Sequence, residues 1–230
     1  MEIAARLSEA GKEYITGEST IVALQPTTIE FRTGEITLLV GPSGSGKTTL
    51  LSLLGSVIYP TMGKVWVGET CINNLSEKEL ANLRLQHIGF VFQGFNLLAP
   101  LNALENVMEP LLLQGVKRKE AKKRAMELIS RFGMEDRINN LPRNLSGGQQ
   151  QRIAISRSLV TNPQLILCDE PTASLDHKSA KMVMEMLSQL SQENKAVIVV
   201  THDVRLKKYA NRTIYVSEGR TSETAIEHDF

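Results

Sequence analysis

The sequence has few cysteines, few aromatic residues and almost no net charge. It contains 2 cysteines, and aromatic residues make up 5% of its 230 residues. Two cysteines do not form a disulfide framework, and no spacing of cysteine and histidine suggests a metal site. Cys168, inside the apolar run LILCDE, is instead predicted to be a small buried hydrophobe. The net charge of +1 provides no global field that would recruit nucleic acid, so none is expected as a partner.

The sequence also lacks a long hydrophobic run. Its longest apolar-rich stretches, LLSLLGSVIY and ITLLV, are shorter than the roughly 20 residues that a membrane-spanning helix needs. Glu2 and Arg6 place charges where a signal peptide has a continuous apolar segment. We therefore expect the chain to remain on the side of the membrane where it is made, which is the cytoplasm.

Strand patterns occupy both ends of the sequence, and helical patterns occupy its middle. Runs of Ile, Val, Leu and Thr bounded by glycine and proline predict strands in the two end regions. Two of these runs, 165–168 and 196–200, are continuously apolar, as in strands buried on both faces of a parallel sheet. In the middle no strand pattern occurs, and three segments have helical spacing. The pattern predicts one domain, with an α/β core formed by residues 1–93 and 161–230 and a helical subdomain at 94–160.

The stretch GPSGSGKTT, Gly41 to Thr49, lies between a predicted strand and a predicted helix. Its pattern, Gly-x-x-x-x-Gly-Lys-Thr, is the phosphate-binding P-loop in the context that this motif requires. Glycines allow the backbone to curl so that successive amides point at the phosphates. Lys47 is expected to reach the outer phosphates, and the Thr48 hydroxyl to bind Mg²⁺. The residues predicted to bind the nucleotide are Gly41, Pro42, Ser43, Gly44, Ser45, Gly46, Lys47, Thr48 and Thr49.

The run LILCDE supplies two carboxylates for the same site. Its four apolar residues predict a buried strand that ends at Asp169, and an α/β sheet presents its ligands at this end. Asp169 is expected to hold Mg²⁺ directly or through water. Glu170 suits a general base that activates the attacking water. The alternative is that both residues are solvated carboxylates in a turn.

A second anion site is predicted at NLSGGQQQR, Asn144 to Arg152. A serine and two glycines stand at the start of an amphipathic helix, whose exposed amides favour an anion such as phosphate. LSGGQQQR resembles the signature motif of ATP-binding cassette (ABC) proteins, and it precedes the LILCDE strand as in that family. The matching residues are Leu145, Ser146, Gly147, Gly148 and Gln149.

Four further positions carry the resemblance, which covers essentially the whole chain. Tyr14 stands where the family has its adenine-stacking aromatic residue, and Gln93 where it has the Q-loop glutamine that senses Mg²⁺ and the γ-phosphate. Asp176, in ASLD, matches the D-loop, and His202, in VVTHD, matches the switch histidine. Each of three of these residues has an alternative interpretation. Tyr14 can be a half-buried aromatic residue of a strand, and Gln93 a polar residue at a strand end. His202 can be a histidine with a purely structural hydrogen bond.

The resemblance implies a fold and a mechanism. The fold is a P-loop NTPase (RecA-like) core with an N-terminal antiparallel β region and an inserted helical subdomain. Two cassettes pair head to tail around two Mg-ATP, so that the P-loop of one chain and the signature loop of the other close on each nucleotide. Loss of the γ-phosphate then releases the two halves, which is a two-state switch. The implied cofactors are ATP and Mg²⁺, and the expected catalytic residues are Glu170, His202, Gln93 and Lys47.

The sequence around and after the Q-loop resembles one group within the family more than the others. GFVFQGFNLLAPLNALENVMEPLLL resembles the LolD- and MacB-type ATPases of lipoprotein release and macrolide export, with FtsE-type ATPases as near relatives. The resemblance implies an integral membrane partner, driven in export, lipoprotein release or mechanotransmission, and a location on the inner face of the cell membrane. In the family the partner docks near 94–104, where Phe95, Leu97, Leu98 and Leu101 suit burial against a helix. The alternative is that these side chains pack inside the helical subdomain.

A soluble ABC ATPase acting in protein assembly or on nucleic acid is the alternative function. The segment between the Q-loop and the signature is too short for the coiled-coil insertion of chromosome-tethering members, and translation-factor members carry two cassettes. The near-neutral charge also argues against nucleic acid. The basic cluster KRKEAKKR, 117–124, predicts a solvated helix face rather than a nucleic-acid patch. The last residues, TSETAIEHDF, are polar and are expected to be loosely ordered.

Overall fold

The computed structural model describes residues 1–17 and 19–224. Within these residues the chain forms a mostly parallel six-stranded sheet and an antiparallel four-stranded sheet. The strands are β1 (Ile3–Thr16), β2 (Ser19–Arg32), β3 (Ile36–Val40), β4 (Met62–Val67), β5 (Thr70–Cys71), β6 (Ile88–Phe92), β7 (Leu165–Asp169), β8 (Ala196–Thr201), β9 (Arg212–Ser217) and β10 (Arg220–Ser222). The α-helices are α1 (Lys47–Leu54), α2 (Glu77–His87), α3 (Ala103–Leu113), α4 (Arg118–Arg131), α5 (Gly147–Leu159) and α6 (His177–Gln192).

The six-stranded sheet has the order β10-β9-β3-β8-β7-β6. Its neighbouring strands are parallel except for the β9–β10 hairpin. Every residue of β3 and β8 is buried, because both faces of these strands are covered. This explains why their sequences are continuously apolar rather than alternating.

The four-stranded sheet has the order β2-β1-β4-β5 and is antiparallel. Strands β1 and β2 form a long hairpin, in which Tyr14 lies opposite Ile21. Register shifts interrupt this pairing between Leu7 and Glu13, and such irregularities bend and twist a strand. The N-terminal antiparallel β region is confirmed.

Side chains of the central strands alternate between two apolar clusters. Leu167 packs towards α1 and the antiparallel sheet, whereas Ile166 and Cys168 pack towards α5 and α6. A third cluster joins α3, α4 and α5. Cys168 is 0% exposed, so its prediction as a buried hydrophobe is confirmed. Desolvation raises the pKa of its thiol far above the ordinary value, which makes it unreactive.

Three α-helices begin with a capping box, in which a polar side chain and the residue three positions later bond each other's backbone amides. The pairs are Ser76 with Glu79, Asn102 with Glu105 and Ser146 with Gln149. Each box satisfies amides that a helix end otherwise leaves without a partner. The starts of α2, α3 and α5 are therefore fixed by local sequence.

Several sequence predictions can be compared with these elements. No strand occurs between 94 and 160, and the middle of the chain is helical as predicted. The basic cluster 117–124 faces solvent along α4, except for the buried Ala121 and the half-buried Glu120. Helix α2 was not predicted, because it buries few apolar side chains. Of the polar C-terminal segment, 225–230 lies outside the described residues. In the described ranges, no helix combines the length and the apolar character needed to span a bilayer.

Candidate nucleotide-binding site

The P-loop connects the end of β3 to the start of α1. Gly44 and Gly46 have φ angles of 78° and 108°, which side chains other than glycine rarely adopt. A Cβ on Gly46 would also lie 2.4 Å from the Ala23 carbonyl oxygen of β2, so this position needs glycine twice over. Since Gly46 caps α1 without a side chain, the first amides of the helix are directed to the loop, where they suit phosphate.

Lys47 is the first residue of α1, and its ammonium lies inside the P-loop. Its Nζ donates to the carbonyl oxygens of Gly41 and Pro42, at 2.8 Å and 2.6 Å. The Ser45 hydroxyl lies 3.4 Å from the same atom. Burial lowers the pKa of Lys47, while the carboxylates of Glu170 and Asp169 oppose that shift. A buried cation with these partners is a ready site for phosphate oxygens.

The loop rests on the β9–β10 hairpin. A Cβ on Gly41 would lie 1.9 Å from the Val216 carbonyl oxygen, so no side chain fits there. The Gly219 amide donates to the Ser45 carbonyl oxygen over 2.8 Å. Of the other predicted loop residues, Pro42, Ser43, Gly44 and Thr48 are exposed, and Gly46 and Thr49 are half-buried. The residues open to a ligand therefore lie on one side of the loop.

Asp169 ends β7, and Glu170 follows it at a strained position. Glu170 has φ 48°, an uncommon value for a residue with a side chain, and it precedes a proline. Its amide donates to the Val200 carbonyl oxygen of β8 over 3.0 Å. Burial raises the pKa of Asp169, and the charge of Glu170 adds to that shift, with Lys47 opposing it. Two carboxylates and one buried cation thus face the same site.

His202 follows β8, the strand next to β7, and it contacts Glu170. The Nδ1–H of His202 donates to Oε1 of Glu170 over 2.8 Å, since a carboxylate can only accept. The Glu170 side chain is 16% exposed and that of His202 is 73% exposed. A cavity of about 610 Å³ opens beside the pair. The arrangement gives a carboxylate base an oriented histidine partner and access for water.

The signature loop forms the N-terminus of α5. Ser146 Oγ accepts from the Gln149 amide, and Gln149 Oε1 accepts from the Ser146 amide. Leu145 anchors the loop in the apolar cluster of the helical region. A Cβ on Gly148 would lie 2.6 Å from the Ser179 hydroxyl. The capping box thus holds the signature loop rigid, and Gly148 of this loop lies beside the start of α6.

Asp176 caps α6 next to the signature loop. Its carboxylate accepts from the Ser179 amide at 2.9 Å and from the Ser179 hydroxyl at 2.7 Å. These hydrogen bonds hold the pKa of Asp176 below its ordinary value. Asp176, Ser179, Ser146 and Gly148 share a cavity of about 260 Å³. The structure therefore brings the D-loop residue and the signature loop together within one chain.

Tyr14 and Gln93 are both exposed and lie on different elements. Tyr14 is 41% exposed near the end of β1, and Lys12 Nζ lies 5.2 Å from its ring centroid. Its partner Ile21 stands two residues before Ala23, whose carbonyl oxygen borders the P-loop. Gln93 is exposed directly after β6. Both side chains are accessible to a ligand.

Three buried or half-buried polar residues near the site were not foreseen. Gln151 is 0% exposed and donates to the Pro171 carbonyl oxygen over 2.8 Å. Arg157 donates to the carbonyl oxygens of Phe95 and Asn96, and burial lowers its pKa. Asn106 is 0% exposed and binds the segment that follows Gln93. The sequence offered one indication of these residues, which is a polar residue on the apolar face of an amphipathic helix. Such a residue is buried and therefore needs a hydrogen-bond partner.

The segment 94–104 divides its apolar side chains between core and solvent. Leu97 packs against the helical cluster, while Leu98 is 43% exposed. Phe95 and Leu101 are half-buried. Packing inside the helical region therefore holds for Leu97, and Leu98 is the side chain of these four that remains exposed.

Comparisons with known proteins agree with this geometry. The ABC transporter family model matches residues 24–173. The chain is 42% identical over 219 residues to the uncharacterized ABC transporter ATP-binding protein MJ0796 of Methanocaldococcus jannaschii, covering 93% of each chain. It is 41% identical to the macrolide export ATP-binding/permease protein MacB 2 of Yersinia pestis bv. Antiqua, covering 95% of this chain but 32% of that protein.

A solved structure extends the likeness to three dimensions. The dimeric, post-hydrolysis state of the ATP-binding cassette MJ0796, bound to ADP and Pi, superposes with a TM-score of 0.87 at 40% identity. The match covers 96% of this chain and 99% of that one. This chain thus combines the P-loop, the Glu170–His202 pair and the signature loop with the fold of an ATP-binding cassette. The chain therefore belongs to the ABC transporter family, as one of its ATP-binding, ATP-hydrolysing cassettes.

Proposed function

We propose that two copies of this chain pair head to tail around two Mg-ATP and drive an integral membrane partner. The observation that carries this proposal is the separation of the two anion sites within one chain. The signature loop lies against the start of α6, and its cavity contains no residue of 41–49. A phosphate bound by the P-loop is thus left open on one side, which the signature loop of a second copy would close.

In this proposal each chain supplies half of each site. Lys47 and the P-loop amides hold the phosphates, and Tyr14 stacks on the adenine. Ser146, Gly147 and Gly148 of the second copy add amide donors and exclude water. Asp176 fixes Ser179 at the start of α6, and Ser179 lies beside Gly148 of the signature loop. The dimeric MJ0796 structure supports this interpretation.

Mg²⁺ fits the oxygen ligands that this site offers. In the described part of the chain, no three His, Cys, Asp or Glu side chains cluster as a metal site of their own. Mg²⁺ at a nucleotide usually takes one or two protein ligands together with phosphate and water. Asp169 supplies a carboxylate at the end of β7, and burial together with the nearby Glu170 charge raises its pKa. Thr48 and Gln93 are exposed and would complete the protein ligands.

The chain's own groups account for the hydrolytic step. Glu170 accepts a proton from the water as the water oxygen bonds to the γ-phosphorus; the bond from that phosphorus to the β–γ bridging oxygen breaks, and ADP leaves with that oxygen. His202 orients the Glu170 carboxylate through their hydrogen bond. The ammonium of Lys47, inside the P-loop, would stabilise the negative charge that develops on the phosphates. When bound, Mg²⁺ supplies charge neutralisation at the phosphates. Water reaches Glu170 from the adjacent cavity.

The membrane partner is proposed to dock on the segment 94–104. Its exposed Leu98 is held by Asn106, and the Phe95 and Asn96 carbonyl groups are held by Arg157. A rigid loop with an open apolar side chain loses little entropy when a helix packs on it. In this proposal the docking segment belongs to a helical subdomain formed by residues 94–160, and the core is formed by 1–93 and 161–230. The likeness to MacB favours export or force transmission at the inner face of the cell membrane.

The shared-site proposal is tested with Glu170→Gln. The variant should still bind Mg-ATP, lose turnover by at least about 100-fold because the amide is no base, and form a stable dimer at saturating Mg-ATP. Size-exclusion chromatography with light scattering measures the dimer. Glu185→Gln, on an exposed part of α6, is the matched control and should turn over and dissociate normally. A Glu170→Gln protein that stays monomeric would contradict the shared site.

The membrane partner is tested with the trapped dimer. Tagged Glu170→Gln is used to capture partners from native membranes solubilised with Mg-ATP, and an integral membrane protein should co-purify. Adding Leu98→Asp should abolish this capture while the ATP-dependent dimer persists. Recovery of soluble partners alone would refute the membrane assignment. Capture that survives Leu98→Asp would refute the docking site.

A further inference from the structure

Gln151 occupies a position that the hydrolytic site described above does not explain. It lies in the second turn of α5, is 0% exposed, and directs its side chain out of the helix. Its Nε2 donates to the Pro171 carbonyl oxygen over 2.8 Å. Its Oε1 has no hydrogen-bond partner within the described ranges. A buried amide with one half unsatisfied is costly, so its single bond to Pro171 needs an explanation.

The bond reaches the turn that carries Glu170. Pro171 follows Glu170 directly and has no amide hydrogen, so its carbonyl oxygen is the one backbone group through which it can be anchored. Glu170 itself has φ 48°. Strained backbone of this kind persists when the surrounding structure over-determines it. The turn is held at the Glu170 amide by Val200, at the Glu170 carbonyl by the Ala173 amide, and at Pro171 by Gln151.

We propose that Gln151 is a positioning residue that holds the Glu170 turn in its strained, hydrolysis-competent backbone. The anchor comes from α5, which begins at the signature serine, Ser146. A helix is stiff over two turns, so the Glu170 turn and the signature loop of one chain move as one piece. The inference rests on the proposed role of Glu170 as the base.

The first test is Gln151→Met, which keeps the length and burial of the side chain and removes both polar atoms. The Glu170 turn then loses one of its three anchors. We expect kcat to fall roughly 10- to 100-fold, the cost of a misplaced catalytic group, while KM and the affinity for Mg-ATP remain near wild type. Ser156→Ala is the matched control, because it removes a buried hydrogen bond within α5 itself. Its kcat should stay near wild type.

The second test is Gln151→Glu, which keeps the shape and allows the contact to be titrated. Burial raises the pKa of the introduced carboxyl. When protonated, that carboxyl donates to the Pro171 oxygen as Gln151 does. Below its raised pKa the variant should therefore recover turnover relative to Gln151→Met, and the recovery should vanish as pH rises. Wild type measured over the same range provides the reference profile.

Three outcomes decide the inference. A fall in kcat for Gln151→Met together with the pH-dependent rescue supports it. Wild-type kcat for Gln151→Met overturns it, as does a loss of ATP affinity in proportion to kcat, since that marks a general packing role. Glu170→Gln is assayed in parallel. If Glu170→Gln retains turnover, the proposed base is wrong; if it is inactive while Gln151→Met is normal, the positioning role alone fails.

Discussion

Asn106→Ala should loosen the segment that follows the Q-loop. Asn106 is fully buried at the start of α3. Its Nδ2 donates to the carbonyl oxygens of Leu98, Leu101 and Asn102, and its Oδ1 accepts from the Leu98 amide at 2.7 Å. The two hydrogens of Nδ2 are shared among three carbonyl oxygens, so one side chain makes four hydrogen-bond contacts to residues 98–102, which have no regular secondary structure.

The loss of stability in Asn106→Ala depends on which backbone groups still have a hydrogen-bond partner without the Asn106 side chain. The Leu98 carbonyl also accepts from the Leu101 amide, and the Asn102 carbonyl also accepts from the Asn106 amide. The Leu98 amide and the Leu101 carbonyl lose their bonds to Asn106. An orphaned buried group costs about 1–3 kcal/mol, and partial exposure of the segment returns some of this through water. We expect a loss of about 2–4 kcal/mol, which lowers Tm by roughly 4–16 °C in a protein of this size.

Thermal unfolding followed by circular dichroism measures this loss. Gln114→Ala is the control, because Gln114 is exposed and makes one bond to the Leu85 carbonyl; its effect should stay within about 0.5 kcal/mol. Amide hydrogen exchange should accelerate in 94–102 of the Asn106→Ala protein before it accelerates in the sheet. A Tm within about 1 °C of wild type would refute the reasoning, because the four part-buried contacts of Asn106 would then contribute nothing to stability.

Three further predictions follow from the site. The raised pKa of Asp169 means that its charged form destabilises the nucleotide-free fold; Asp169→Asn should raise Tm at neutral pH, and the gain should disappear as pH falls through that pKa, measured between about pH 4 and 8. Gly41→Ala should abolish nucleotide binding in a titration with a fluorescent ATP analogue, whereas Gly44→Ala, which has open space, should weaken it moderately. A thiol reagent should label Cys71 in the native protein and Cys168 after denaturation alone.

The parts of the fold that were predictable are those whose cause is local. β3 and β7 are short apolar runs that lead directly into motif residues, and the P-loop needs glycine for reasons of backbone geometry. The capping boxes at Asn102 and Ser146 can likewise be read from neighbouring residues. α2 was missed because it buries two leucines, Leu80 and Leu83, which leaves almost no periodic signal.

The unpredicted parts depend on residues far apart in sequence. Arg157 reaches the carbonyl groups of Phe95 and Asn96, and Gln151 reaches Pro171. Nothing in the local spacing of these residues indicates a partner, because the contact exists only after α5 has packed on its neighbours. Side-chain anchors of this kind decide how rigidly the motif residues are held, and they require the tertiary structure.

The hairpin beneath the P-loop has a consequence for synthesis of the chain. β9 pairs with β3, and the Gly219 amide donates to the Ser45 carbonyl oxygen of the P-loop. Strands made more than 150 residues after the P-loop therefore support it. A chain leaving the ribosome therefore carries an unfinished phosphate loop and an open β3 edge, which is a site for wrong pairing. ATP therefore cannot stabilise the P-loop before β9 and β10 have been synthesised. Binding of the nucleotide can stabilise the fold only after β9 and β10 have been synthesised and have packed against β3 and the P-loop.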